Sequence, residues 1–133
     1  ILNEQGDRAN RDELVELAAD DRISIGSHTH SHPSLAGLPS AEQRQEITTA
    51  RQVLESLTGR PVTSFAYPFG GSAHISAETM SLVQQAGIAV ACRTDAGGVR
   101  YGCDPLRVPR MVVRNWSKAE FHERWHSWVG RPN

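Results

Sequence analysis

The feature that most constrains the fold is an alternation of helical and extended segments along the chain. We expect helices at 10–20, 40–59, 76–87 and from 117 onward, and strands at 22–27, 63–67, 88–92 and 107–113. Alternation with short connections is typical of an α/β fold with a parallel sheet or part of a barrel. The run Ile88–Cys92 is apolar at every position, which predicts a strand buried on both faces.

Capping patterns and helix-breaking residues support these boundaries. Three pairs have the spacing of a capping box at the start of an expected helix: Asn10 with Glu13, Ser40 with Gln43, and Ser117 with Glu120. Gly59 is expected to end the second helix. Because Pro109 cannot donate a ladder hydrogen bond, its strand is predicted to be an edge strand or to contain a bulge.

Size and charge exclude several classes of function. The 133 residues fit a single domain, 1–133, and 14 basic against 15 acidic residues leave a net charge of −1. This balance does not indicate nucleic-acid binding, and no apolar run approaches the about 20 residues of a membrane span. Cys92 and Cys103 allow one disulfide, although two free thiols are the simpler interpretation. The localisation stays open.

Chemically distinctive residues follow the predicted strands at their carboxyl ends, where α/β folds bind ligands. The first strand runs into His28, and the second runs into the turn 67–71. The third and fourth strands run into 93–95 and 114–116. This clustering predicts one shared site.

Three of the six histidines lie within five residues, in the stretch IGSHTHSHPSL. Neutral imidazole is a good ligand for zinc and other transition metals. His28 and His32 reach one ion if the loop curls, while Pro33 favours an extended backbone at His32. His30 is expected to line the cleft or to face water. Three solvated loop histidines are the alternative interpretation.

A competing metal motif lies in the last predicted helix. Residues 122–126 read HERWH, a literal H-E-x-x-H, the arrangement found in zinc peptidases. Only seven residues follow, which leaves no room for a downstream glutamate ligand, and no third histidine appears there. An amphipathic helix that packs through Trp125 and Trp128 is the simpler interpretation.

Two ordered motifs resemble those of the polysaccharide deacetylases, the chitin-oligosaccharide deacetylase-like group of carbohydrate esterase family four. SHTHSHPSL is similar to the H-[ST]-x-x-H motif of that family, with His28, Thr29 and His32 at the defined positions. SFAYPFGG resembles the next motif in its F-A-Y-P-F-G form, and QQAGIAVAC and LRVPRMVVRNW are similar to later segments of that branch. The resemblance extends from about Asp12 to Phe121.

The resemblance implies a partial, deformed (β/α) barrel with mostly parallel strands and a divalent metal, most often zinc. In the family, two histidines and one aspartate hold the metal, and an activated water attacks an acetyl carbonyl on a sugar. The resemblance therefore implies that His28 and His32 are ligands and that the Thr29 hydroxyl steadies their loop. It also implies that the backbone N–H of Phe69 stabilises the oxyanion.

The uncharged turn at 67–71 suits a sugar ring. The predicted substrate-binding residues are Tyr67, Pro68 and Trp116. Packing at the end of the strand is the alternative for Tyr67 and Phe69.

Two further functional residues are predicted where the family pattern is broken. Ala66 replaces the usual arginine of the second motif, and Arg110 is a candidate to supply that charge, with a surface role as the alternative. The family's late leucine-histidine motif is not recognisable. His74 is the candidate for its general acid, and Asp95 is the weaker one, with a solvated loop histidine as the alternative for His74.

The family's T-F-D-D-G motif, which supplies the aspartate ligand and the base, is absent. It belongs before Ile1, so we expect an N-terminally incomplete domain that needs a further segment for full activity. Asp20-Asp21 is expected to end a helix instead. A sheet without its early strands has an open edge, which favours self-association.

The sequence thus predicts a metal-dependent hydrolase that removes acetyl groups from an N- or O-acetylated polysaccharide or oligosaccharide. A non-catalytic carbohydrate-binding or scaffold protein with the same fold is the second hypothesis. An H-E-x-x-H zinc peptidase is the third.

Overall fold

The computed structural model describes residues 9–95 and 97–129. Its helices and strands are α1 (Arg11–Ala19), α2 (Ser40–Thr58), β1 (Ser64–Ala66), α3 (Ala77–Gln85), β2 (Val90–Cys92) and α4 (Lys118–Val129). Single turns of 3₁₀-helix at Leu35–Gly37, Ser72–His74 and Pro105–Arg107 lie in the connections. The predicted alternation of helices and strands is confirmed for these elements.

The sheet is parallel and its members follow the order of the chain. β1 pairs with β2 in a register that puts Phe65 opposite Ala91. One parallel bridge joins Ser27 to Phe65, and another joins Cys92 to Val108. The four extended segments therefore lie side by side and run in the same direction, as in the wall of a (β/α) barrel.

The prediction of full strands at 22–27 and 107–113 is wrong, because each segment contributes only one isolated bridge to the sheet. Among the described residues of the first segment, only Ser27 exchanges backbone hydrogen bonds with β1. In the second segment, Val108 donates to the Ala91 carbonyl and accepts from the Arg93 N–H.

Three helix boundaries follow the signals in the sequence. The Asn10 side chain accepts from the backbone of Glu13, whose carboxylate accepts from the Asn10 N–H in return. Ser117 and Glu120 make the same reciprocal pair before α4. Gly59 ends α2 in a left-handed conformation with φ of 65°, which costs glycine little because it has no Cβ.

The capping box predicted at Ser40 and Gln43 is wrong. The N-cap of α2 is Pro39, which offers no side-chain cap. Gln43 is instead 2% exposed, and its amide group donates to the Leu38 carbonyl at 2.9 Å and accepts from the Thr79 hydroxyl at 2.7 Å. A satisfied buried polar link therefore ties α2 to α3.

The core lies between the sheet and the helices α2 and α3. Its buried members are Leu35, Ile47, Phe65, Tyr67, Leu82, Val83, Ile88 and Ala91. Val90 remains 41% exposed, so the prediction that Ile88–Cys92 is buried on both faces is wrong. Successive side chains of a strand point to opposite faces, and Val90 points away from the core that Ala91 occupies.

Cys92 and Cys103 are both free thiols, in agreement with the simpler interpretation of the sequence. None of the helices within 9–95 and 97–129 combines the length and the apolar character needed to cross a membrane.

Candidate metal and substrate site

Residues 28–32, here called the histidine hook, follow the bridge at Ser27. Thr29 and His32 have left-handed backbones, with φ of 63° and 65°. The backbone N–H of His32 donates to the Thr29 hydroxyl at 3.1 Å, and Thr29 is only 4% exposed. The expectation of an extended His32 before Pro33 is therefore wrong, because the buried threonine closes the loop.

The hook brings two of its three imidazoles together. The ring centres of His28 and His32 lie 4.8 Å apart, with ring planes inclined by 72°. Two imidazoles that share one zinc, each nitrogen about 2.0–2.1 Å from it, place their ring centres roughly 5 Å apart at tetrahedral angles. The observed spacing therefore fits a shared ion.

His28 offers one ring nitrogen to the protein and leaves the other available. Its Nδ1 lies 2.6 Å from the carbonyl oxygen of Ala66, at the end of β1. With a proton on Nδ1, the lone pair needed by a metal is on Nε2. Partial burial of the ring lowers the pKa of His28 and outweighs the carbonyl's opposite effect, and the charges of His32 and Arg110 lower it further. The neutral form that binds metals is therefore favoured.

Glu46 anchors the hook from α2, although no sequence motif marks it. Its carboxylate accepts from the backbone N–H groups of His30 at 2.9 Å and Ser31 at 2.8 Å, and from the Ser31 hydroxyl at 2.6 Å. Partial burial opposes ionisation, but these hydrogen bonds together lower the pKa of Glu46. A charged acceptor therefore fixes the middle of the hook, and the sole signal in the sequence is an acidic residue before the buried Ile47.

Replacing Glu46 with alanine is expected to weaken Zn²⁺ binding by the hook about 10- to 100-fold, the effect typical of losing residues that orient metal ligands. The loss follows because two backbone donors lose their acceptor while Thr29 and His32 still need unusual φ values. Isothermal titration calorimetry measures the affinity in a His126→Ala background, which removes the H-E-x-x-H pair. Glu42→Ala, one turn earlier on α2, is the control, and equal affinities of the two variants would contradict this role.

The first half of the turn after β1 is buried. Tyr67 is 1% exposed and its hydroxyl donates to the Leu106 carbonyl at 3.0 Å, while Pro68 is also fully buried. Burial raises the pKa of Tyr67, which keeps the phenol neutral. Both rings are therefore in the core and present no face to a sugar, which favours packing at the end of the strand, the alternative interpretation for Tyr67. The substrate role of Tyr67 and Pro68 stays a prediction.

Phe69 is the exposed residue of the same turn. It is 55% exposed, and its ring centre lies 5.0 Å from that of His32 and 5.0 Å from that of His74. Among the described residues, no hydrogen bond uses the Phe69 backbone N–H as donor. A free N–H beside a candidate metal ligand is compatible with the predicted oxyanion contact.

His74 extends this row of rings. Its Nδ1 lies 2.8 Å from the hydroxyl oxygen of Ser34, a residue just after the hook that no motif marks. The structure thus brings His28, His32, Phe69 and His74 to one edge of the sheet.

Asp95 follows β2, the third extended segment, and Arg110 follows the bridge at Val108 in the fourth. The Nε of Arg110 lies 3.4 Å from the Arg93 carbonyl oxygen, and its charge acts on His28. Asp95 pairs with the Arg93 guanidinium at 3.2 Å. Arg110 is therefore within electrostatic reach of the hook, whereas the carboxylate of Asp95 is engaged by its neighbour.

The last helix and Trp116 form a separate group. The Trp116 ring lies 5.7 Å from that of Trp128, and the Arg124 guanidinium stands 4.5 Å above it. The predicted substrate role of Trp116 stays a prediction, since these contacts join it to α4. His122 and His126 face each other on α4, with ring centres 4.3 Å apart.

Neither pair of imidazoles has a third protein ligand in the part of the chain that the structure describes. No group of three histidine, cysteine, aspartate or glutamate side chains is placed there to hold one ion. Catalytic zinc sites usually have three protein ligands. The hook therefore offers two candidate ligands, and the peptidase hypothesis gains no support from α4.

The family model for polysaccharide deacetylases matches residues 2–91, more than half of the chain, including the hook and the turn at Phe69. The chain belongs to the polysaccharide deacetylase family. Among curated proteins, this deacetylase-family chain is 27% identical over 86 residues to YxkH of Bacillus subtilis (strain 168), which is named for the same family. That match covers 65% of this chain and 30% of YxkH.

Solved structures share the fold. The Streptococcus pyogenes deacetylase PplD in complex with acetate superposes with a TM-score of 0.78 at 17% identity, over 90% of this chain and 52% of PplD. A polysaccharide deacetylase from Bacillus cereus superposes with a TM-score of 0.77 at 21% identity, over 92% of this chain and 38% of that protein. The predicted α/β class with part of a (β/α) barrel is thus confirmed. The chain spans about half or less of the length of these proteins.

Proposed function

We propose that this chain forms the metal-binding and substrate-facing part of a hydrolase that removes acetyl groups from an N- or O-acetylated polysaccharide or oligosaccharide. The observation that carries the proposal is the 4.8 Å approach of the His28 and His32 rings at the carboxyl end of parallel strands. The family match and the acetate in PplD support it, since acetate is the product of deacetylation. Zinc fits the donor set best, because both ligands are imidazoles.

In this proposal, the residues at the carboxyl edge of the sheet have distinct roles in the reaction. A divalent metal held by His28 and His32 would supply a more acidic water and a polarised acetyl carbonyl. The backbone N–H of Phe69 would donate to the oxyanion as it develops. His74, oriented by Ser34 through Nδ1, keeps Nε2 for proton transfer to the leaving amine or alcohol. Arg110 adds positive charge near the hook.

The third ligand and the general base are proposed to lie outside residues 9–95 and 97–129, in a segment that precedes Ile1. Two observations support this assignment: the described residues hold no three-ligand group, and the chain covers 52% or less of its deacetylase relatives. The described chain alone is therefore expected to bind metal without rapid turnover.

An open apolar groove beside the hook supports the predicted association with further polypeptide. A cavity of about 510 Å³ lies between α1, α2 and the segment before the hook. Its apolar lining includes Leu14, Ile25, Val53, Leu54 and Leu57. Apolar surface of this kind is usually covered, by more of the same chain or by a second copy at the open sheet edge.

Acetate release tests the proposed activity in the protein that includes the upstream segment. We expect acetate from an N-acetylated or an O-acetylated oligosaccharide, loss of release on chelation, and recovery with Zn²⁺. Release that persists in excess chelator would contradict metal dependence. Sugar binding without metal and without acetate release would favour the alternative of a non-catalytic carbohydrate-binding protein. That alternative agrees with the lack of a third metal ligand among the described residues.

A further inference from the structure

We propose that α4 carries a second metal site, a surface chelate in which His122 and His126 bind one transition-metal ion that prefers imidazole. The two Nε2 atoms lie 3.1 Å apart, and the ring planes are inclined by 74°. Both residues are exposed, so an ion reaches them without any opening of the fold. The site lies beyond the family match at 2–91 and does not depend on the proposed hydrolase activity.

The spacing of the nitrogens is that of a chelate. Two nitrogens that are each about 2.0–2.1 Å from one ion lie roughly 2.8–3.4 Å apart when the angle at the ion is between 90° and tetrahedral. The observed 3.1 Å falls inside this interval. Residues four apart share one helical face, so the regular backbone of α4 already holds the pair together.

Without a metal, the two imidazoles are close enough to share a hydrogen bond. At 3.1 Å, the two Nε2 atoms are within hydrogen-bond distance, so an Nε2–H of one ring can donate to a bare Nε2 of the other. When an ion binds, the Nε2 proton moves to Nδ1 of the same ring by exchange with water, so each ring keeps one N–H and both offer a lone pair on Nε2. The two states need nearly the same ring positions, so binding costs little rearrangement.

The neighbouring side chains leave this face of α4 accessible. The Arg124 guanidinium stacks over Trp116 at 4.5 Å, and the Phe121 and Trp125 rings stack on each other at 6.1 Å. Two imidazoles with water in the remaining positions favour Cu²⁺ over Zn²⁺ by the usual affinity order. Ca²⁺ and Mg²⁺ prefer oxygen ligands and are not expected to bind.

Calorimetric titration with Cu²⁺ tests the site in the untagged 133-residue chain carrying His28→Ala and His32→Ala, which removes the hook as a competitor. We expect one equivalent of Cu²⁺ to bind and Mg²⁺ to give no heat. Adding His122→Ala or His126→Ala should weaken Cu²⁺ binding at least about tenfold. Glu123→Gln, on the same turn of the helix, is the control and should change the affinity far less.

Localisation by NMR completes the test, because His30 and His74 remain in that background. Substoichiometric Cu²⁺ should broaden the amide signals of residues 118–129 before it broadens the amide signals of His30 and His74. Broadening centred on His30 or His74, or an affinity unchanged by His126→Ala, would overturn the proposal. Alanine is a strong helix former, so circular dichroism should show α4 intact in these variants. Zinc binding by the hook is measured separately in the His126→Ala background, so failure of one site is distinguishable from failure of the other.

Discussion

Replacing either His28 or His32 with alanine is expected to abolish measurable Zn²⁺ binding at the hook. The described residues provide two ligands there, and either substitution leaves a single imidazole. In the protein that includes the proposed upstream segment, the same change should lower the proposed acetyl hydrolysis at least about a thousandfold, because a catalytic metal supplies several kcal/mol of transition-state stabilisation. Calorimetry in the His126→Ala background measures the affinity, and acetate release measures the activity.

His30→Ala is the matched control for this prediction. His30 lies between the two candidate ligands, and its hydrogen bond to Glu46 is donated by the backbone N–H, which alanine retains. We expect near-normal zinc affinity for His30→Ala and none for His32→Ala. Zinc binding that is equally strong in His28→Ala, His32→Ala and the parent would show that the hook is not the metal site.

Replacing Gly70 with alanine is expected to destabilise the fold by about 2–5 kcal/mol. Gly70 has φ of 67°, a conformation that costs a residue with a Cβ roughly 1–2 kcal/mol. An added Cβ would also lie 2.6 Å from Thr94 Cγ2 and 2.7 Å from the Thr94 backbone nitrogen. Because a backbone atom cannot rotate away, we add the about 1–3 kcal/mol typical of overpacking.

The same substitution should disturb the candidate site, since Thr94 holds the turn. The Thr94 hydroxyl donates to the Phe69 carbonyl at 2.8 Å, and its N–H donates to the Gly70 carbonyl at 2.9 Å. Gly71→Ala is the control, because φ there is −79° and the nearest atom, His74 Cδ2, is 3.8 Å away. Urea unfolding measures both variants, and a Gly70→Ala protein as stable as Gly71→Ala would refute the steric argument.

Helices and central strands could be predicted because their signals are local. The reciprocal cap at Asn10 and the left-handed Gly59 depend on residues within one helical turn, and both are observed where the sequence places them. The outer strands at 22–27 and 107–113 could not be delimited in this way. The extent of a strand depends on the hydrogen bonds offered by its neighbour, and here each neighbour pairs with one residue, Ser27 or Val108.

In the candidate site, too, features set by nearby residues were predictable and features set by distant residues were not. The approach of His28 and His32, the proposed metal ligands, was predictable from their spacing within five residues, and the hook closes over that distance. Glu46 and Ser34 were not predictable, because their partners lie 15 and 40 residues away in the chain. Such contacts arise only when helix, hook and turn pack together.

The sequence by itself determined which chemical groups are available and in what order the helices and central strands occur. Tertiary structure decided which of those groups meet water: Tyr67 and Phe69 lie two residues apart in one turn, yet they are 1% and 55% exposed. The reason is that the segment at Leu106 covers Tyr67 from a distance of 39 residues, while the left-handed backbone of Phe69 turns its ring toward the histidines. Burial is the sum of contacts from distant segments, and a local pattern carries no record of them.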